Sequence, residues 1–370
     1  MTSQTTAASV APTAPPTKAE ILSVMAPFAK PDDTKGLLLF AVEYALYWAA
    51  IAAILFAPWT SVKIFASVFA GLKLAGFITL GHDAAHRMLV KNSTLNKWLA
   101  YALLVPCAHN YRMWIWDHHG SHHQQTNGEH FDSYTPYSKA EFDQLSFGKQ
   151  VFERIIRAPN LVGFGIHYMF QRMPRVRMYP NAALPAALHK SAWRHFAVLV
   201  AYHSVFVALL AMAPQVAPIT VAGALGLGYG LPLFVFATLT GGSLFLMHTH
   251  KNVPWFKGDL DRKGDAASHY CSTNLTLPHV LSKLVHHVFA HSVHHAHPGV
   301  PCYYVPEAQA RLDELLGDSA VKEPMTVGGL ISTLNTCKLY DFEKHQWLDF
   351  DGKPTTAPMN LLRTTAKLAA

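Results

Sequence analysis

Long apolar stretches alternate with long polar ones along this chain. From Gly36 to Pro58 nearly every position is hydrophobic, and Glu43 is the one charge. A helix rises about 1.5 Å per residue, so such a stretch is long enough to cross a bilayer. A second stretch, 62–81, carries Lys63 and Lys73 and runs directly into His82. Only a turn around Pro58-Trp-Thr60 separates the two, which predicts a helical hairpin. Lys63 can extend its ammonium to the interface, whereas Lys73 sits deep for a charge in a span. A second hairpin is predicted from 195–213 and 217–247, joined by Pro214-Gln-Val-Ala-Pro218. The apolar run Trp98–Ala108 is too short to cross and reads as interfacial or re-entrant. Four spans follow, with 82–194 and 248–370 on one side of the membrane. Both hairpin turns lack Lys and Arg while those two segments are rich in them, which orients the segments toward the cytoplasm.

The expected fold is therefore an all-α polytopic membrane protein with two transmembrane hairpins and a cytoplasmic helical cap. Residues 1–35 read as a flexible tail, since the first 20 are rich in Ser, Thr, Ala and Pro and lack a signal-peptide core. The remainder, 36–370, reads as a single domain. Composition agrees: 51% of the 370 residues are apolar and 14% charged, as suits a polytopic protein. The net charge of +7 is concentrated beside the apolar stretches, which implies contact with anionic lipid headgroups rather than nucleic acid. Cys107, Cys271, Cys302 and Cys337 form no CxxC pair and read as reduced packing residues.

Chemistry is concentrated in the histidines. Three clusters share one spacing: His82-Asp-Ala-Ala-His86, His119-Gly-Ser-His122-His123 and His291-Ser-Val-His294-His295. On a helix, i, i+3 and i+4 share a face, so each cluster can aim its imidazoles at one point. Eight nitrogen ligands exceed what one ion needs, which predicts a two-metal centre. Imidazole alone leaves Zn, Cu, Fe and Ni open. The Glu-x-x-His pairs of soluble di-iron bundles do not supply a set here.

The boxes HxxxH, HxxHH and HxxHH, in this order around two membrane hairpins, resemble those of the membrane fatty-acid desaturases, with bacterial acyl-lipid enzymes the nearest in pattern. Gly81-His-Asp-Ala-Ala-His86 closes a span, Trp116-Asp-His-His-Gly-Ser-His-His123 precedes Thr126-Asn127, and His291-Ser-Val-His-His-Ala-His-Pro298 runs into Pro301-Cys-Tyr. Met247-His-Thr-His250 resembles the family's additional histidine at the end of the fourth span. The resemblance implies that His82, His86, His119, His122, His123, His248, His291, His294 and His295 bind two iron ions. His250 competes with His248 for the additional place, and His287, one turn before His291, is a further candidate. His118 lies outside the HxxHH register and is not expected to ligate. Asp83 and Asp132 are candidates for orienting ligand rings.

The resemblance further implies O2-dependent insertion of a double bond into a fatty acyl chain carried on a lipid, CoA or carrier protein. Methylene C–H bonds are not acidic, so a strong one-electron oxidant is required rather than an acid–base pair. Electrons must come from an external donor such as a ferredoxin or a cytochrome b5-type protein, because no flavin, haem or iron–sulfur motif is visible. The aromatic segments Trp114–Trp116 and Phe164–Phe170 read as interfacial anchors or as the mouth of an acyl cavity. Arg172, Arg175 and Arg177 read as membrane-surface charge. A related His-box hydroxylase or carotenoid oxygenase is the nearest alternative. A metal transporter or sensor is remote, because the boxes lie outside the spans.

Overall fold

The computed structural model describes residues 16–123, 126–128, 134–257, 272–317 and 321–359. Asp132 and Cys271 fall outside this set. The first helix, α1 (Lys18–Met25), starts at a capping box in which Thr17 and Glu20 satisfy each other's backbone N–H groups. Ile21 and Met25 of α1 are buried against Val293, Ala308 and Leu312. Helical structure thus begins within the segment read as a tail. Two short turns carry too few apolar residues to stand out from a Ser/Ala/Pro-rich background.

Four helices are long and apolar enough to cross a membrane: Asp33–Phe56, Thr60–Ala85, Ala186–Gln215 and Val221–His248. Helix α2 (Asp33–Phe56) starts on the side-chain cap of Asp32 and ends before Pro58, and α3 (Thr60–Ala85) returns from the turn. The predicted second span stopped at 81, but α3 continues to Ala85, so the first box forms its last turn. Lys63, near the hairpin turn, donates to the carbonyls of Leu55 and Pro218 at 3.2 and 2.9 Å, which ties the two hairpins together at that end.

Past the first box, buried Asn96 accepts the N–H groups of Leu89 and Val90. It lies on α4 (Ser93–Leu104), whose 12 residues span about 18 Å and fall short of a crossing. Asn110 then caps α5 (Tyr111–Asp117) by accepting from Arg112 and Met113 N–H, and α5 leads into a π-helical turn, His118–His122. Helix α6 (Val162–His167) lies against the fourth span. The third span, α7 (Ala186–Met212), begins nine residues before the predicted 195, because no breaker follows Pro185 and the polar residues His189, Lys190 and Arg194 fit its first turns. The fourth span ends in α8 (Leu231–His248).

Helices α3 and α8 form the inner pair. Their approach depends on Gly71, where a Cβ would lie 2.6 Å from Val235 and 2.7 Å from the Pro232 carbonyl. Phe77, Leu80, Ala84, Leu103 and Phe236 fill the surrounding core. Burying side chains of this size stabilises by about 1.5–3 kcal/mol each. Both inner helices end at the same level, one on His82 and His86, the other on His248. Box three sits on α9 (His291–Ala296), which packs with α10 (Val305–Leu316) and α1. The architecture is mostly helical, with two small additions: a parallel pair, Asn274–Thr276 with Lys322–Pro324, and an antiparallel pair, Leu339–Asp341 with Gln346–Leu348. Cys107, Cys302 and Cys337 are buried free thiols.

Candidate metal centre

The box histidines converge into two groups. His82, His86, His118, His123 and His294 bring one nitrogen each to within 4.8 Å of one another, and His122, His248, His291 and His295 do the same. In the first group the Nε2 of His294 lies 3.0 Å from that of His82 and 2.9 Å from that of His123. His123 Nε2 is in turn 3.3 Å from His86 Nε2 and 3.1 Å from His118 Nε2. In the second, His291 Nε2 lies 3.1 Å from His248 Nε2 and 3.0 Å from His295 Nε2.

The HxxHH boxes do not each aim at one point, as their spacing predicts. His294 joins the first group while His291 and His295 join the second, and His123 and His122 divide in the same way. Adjacent residues on a helix point about 100° apart, so an HH pair serves two centres side by side. The i, i+4 pair His291/His295 stays together.

Box two shows a further departure. A π-helix closes i to i+5, and here His123 N–H donates to the His118 carbonyl at 3.2 Å. This register brings His118, expected to lie outside the site, onto the face of His123. His119 stands one ring away, its centroid 4.1 Å from that of His86, and its buried Nε2 has no hydrogen-bond partner among the described residues. No residue in the chain pattern signals a π-turn, so only the backbone reveals it.

Such a web of nitrogens is not satisfied by hydrogen bonds. A neutral imidazole has one N–H. His82 uses its Nδ1–H on Asp83 Oδ1 at 2.9 Å, which leaves its Nε2 as a bare lone pair facing His294. His294 has one proton at most to share between His82 and His123. A cation at the centre of each group satisfies every lone pair at once, so the residues fit metal ions. Protonation does not compete. Burial, followed by the charge of neighbouring histidines, holds His86, His118, His291, His294 and His295 well below the usual imidazole range, His123 at about 2 and His119 at about 4.

Asp83 Oδ2 accepts the Cys302 N–H at 2.6 Å, so the carboxylate is held from both sides while it orients His82. Thr126 Oγ1 donates to the His122 carbonyl at 2.8 Å and lies 3.4 Å from His295 Nδ1. Trp114 lies against His118 with ring centroids 4.4 Å apart and planes tilted by 30°, and makes a T-shaped contact with His82 at 5.7 Å.

Of the two secondary candidates, neither joins a group. His250 Nε2 is 3.1 Å from Glu323 Oε1, and its Nδ1 accepts the Asn252 N–H at 3.1 Å, so both nitrogens are engaged. His287 Nδ1 lies 2.8 Å from Ser282 Oγ. Asp117 pairs with Arg177 at 2.7 Å and Arg172 at 3.1 Å, which makes these arginines buried partners of the box-two helix rather than surface charge. Phe164 is buried against Phe245 and Phe170 is exposed, while Trp114 of the first aromatic segment and Tyr168 of the second reach the cavity described next.

A cavity of about 120 Å³ opens directly beneath both groups, walled by α3 (Ile78, Thr79), α8 (Leu244, Met247), Trp114 and the loop before α9. It is mostly apolar, with His82, His122, His291 and His294 at one end.

The fatty acid desaturase profile matches residues 57–325, more than half of the sequence. The chain belongs to the fatty acid desaturase family. Among its relatives are an sn-1 oleoyl-lipid 12-desaturase of Arthrospira platensis, 31% identical over 32% of this chain and 33% of that protein, and an sn-1 acyl-lipid omega-3 desaturase (ferredoxin) of Synechocystis sp., 26% identical over 65% and 64%. An sn-1 oleoyl-lipid 12-desaturase of Anabaena variabilis is 24% identical over 83% of each chain. The first two matches span about a third and just under two thirds of those relatives' own lengths.

The geometry separates the uncertain ligands. His118→Ala removes a nitrogen from the first group and should lower the metal bound per chain, while His287→Asn, outside both groups, should leave it unchanged. Metal analysis of the two purified variants beside wild type checks this; unchanged metal in His118→Ala would return the place to His119.

Proposed function

We propose that this protein is an O2-dependent fatty acyl desaturase with a di-iron centre. The carrying observation is the pair of all-nitrogen groups set directly above an apolar cavity, in a chain of the desaturase family. The first iron would be held by His82, His86, His118 or His119, His123 and His294, the second by His122, His248, His291 and His295. Bound there, two irons would supply the O2-derived one-electron oxidant that unactivated methylene C–H bonds require.

The protein's own residues hold and shield. Asp83 and Thr126 orient ligand rings, and Trp114 closes the side of the first group against water. The walls of Ile78, Leu244 and Met247 place an extended acyl chain beneath the histidines, which converts the encounter into a positioned reaction. In balance, two adjacent methylenes lose one hydrogen each, O2 takes these with two electrons and two protons from outside, and two waters leave. The electrons come from a separate protein. A relative named for ferredoxin supports a ferredoxin-type donor, and relatives named for acyl-lipids support a lipid-linked substrate.

Expression of the chain in a host of defined acyl composition, with double bonds mapped by mass spectrometry, tests the reaction. A new double bond is expected; a hydroxy-acyl product, or none with iron bound, would overturn desaturation. The same host tests orientation. We place both termini and the box side in the cytoplasm, since the hairpin turns are free of Lys and Arg. Cysteines introduced at the exposed Thr60 and Gln215 should react with an impermeant reagent from outside. One at exposed Lys149 should not, and its labelling would reverse the topology.

A further inference from the structure

Away from the histidine groups, three ionisable side chains lie buried together among the apolar helices. Glu43 of α2 and Lys73 of α3 pair at 2.8 Å. His286, from the loop before α9, brings Nε2 to 3.1 Å from the same carboxylate oxygen. Lys73 is 1% exposed, Glu43 4% and His286 6%. Charges inside a span are costly even when paired, and well-packed apolar side chains would stabilise as well or better. Stability therefore does not account for the triad, and what it holds in place must.

Three features show that His286 is what it holds. His286 and His287 both adopt left-handed backbone, φ 51° and 59°, a conformation unfavourable for residues with a Cβ. The loop is thus bent against its local preference to deliver the imidazole. Gly76 is the surface on which the groups meet: a Cβ there would lie 2.4 Å from Glu43 Oε2 and 3.3 Å from His286 Nε2, so glycine is what lets carboxylate and imidazole close on the α3 backbone. Finally, His286 lines the cavity beneath the histidine groups. On α3 the deepest residue of that cavity is Ile78, and Gly76 comes next but one, six residues from His82 or about 9 Å along the helix. The imidazole thus lines the cavity near the level of Gly76.

We infer that His286, clamped by Glu43 and Lys73, is the floor of the acyl cavity and sets which pair of methylenes lies under the metal centre. This rests on the desaturase reading above. His286 determines specificity by blocking further travel of the chain, and Glu43 and Lys73 are positioning residues that keep the block rigid.

The test uses the full chain in a host of defined acyl composition, with product double-bond positions and chain lengths mapped by mass spectrometry and bound iron measured on the purified protein. His286→Ala should keep wild-type iron and spread the products over neighbouring positions, with positional selectivity falling about tenfold, the scale set by one methylene in an apolar pocket. His286→Gln, which keeps an N–H for Glu43 and most of the bulk, should restore the wild-type pattern. The charge-neutral pair Glu43→Gln with Lys73→Met releases the clamp without stranding a buried ion, and should broaden the pattern too; it decides alone if His286→Ala does not accumulate. Wild-type positions from both variants, or loss of iron from both, would overturn the inference. A wild-type chain that binds iron yet makes no unsaturated product refutes the desaturase reading instead.

Discussion

His294→Ala is expected to abolish unsaturated product and to strip the first metal position while leaving an inserted, full-length protein. The Nε2 of His294 stands within 3.0 Å of two other group members, His82 and His123, so its loss opens the middle of the five-nitrogen set. Outer groups that merely orient ligands cost about 10–100-fold in metal affinity when removed; a ligand at the centre of a set should cost more than that. Insertion depends on the four apolar spans, none of which includes residue 294. Metal analysis should show about one iron per chain in place of about two, the count that two nitrogen groups imply. A variant that makes wild-type amounts of product would refute the assignment of His294.

The next largest effect is expected from Asp83→Ala. This buried carboxylate accepts from His82 Nδ1 and from the Cys302 N–H. Its removal frees His82 to rotate or to carry its proton on Nε2, the nitrogen that faces the group. It also leaves the buried Cys302 N–H unpaired, at a cost of about 1–3 kcal/mol. Iron affinity should fall by about 10–100-fold, product should fall with it, and excess iron should restore part of the activity. That recovery distinguishes Asp83 from His294, where added iron should not help. An iron titration monitored by product formation measures both, and an unchanged iron requirement in Asp83→Ala would show that His82 needs no orienting partner.

Both predictions concern residues visible in the chain pattern, because Asp83 follows His82 on one continuous helix and His294 belongs to the box-three spacing on α9. Where local geometry is a regular α-helix, as at His82/His86 and His291/His295, spacing is enough to place side chains on one face. Spacing does not describe His118 and His119, where the backbone turns as a π-helix and brings His118 onto the face of His123. It also failed for the HH pairs, since spacing describes one helix and not how many centres that helix passes between. The chain pattern favours His248 and keeps His250 as its rival. The end of α8 and the carboxylate of Glu323 divide them, and Glu323 is 73 residues away from His250.

By itself the sequence determined the four spans, the short α4 between them and the three histidine boxes. These depend on residue type and on contacts within a turn or two, where hydrophobic run length and helical periodicity are decisive. The tertiary structure alone decided which nitrogens meet, which of two histidines faces the centre, and that Glu43, Lys73 and His286 form one cluster. His286 lies 243 residues beyond Glu43 in the chain, and no local periodicity encodes a contact that exists only after the hairpins and the loop before α9 have packed together.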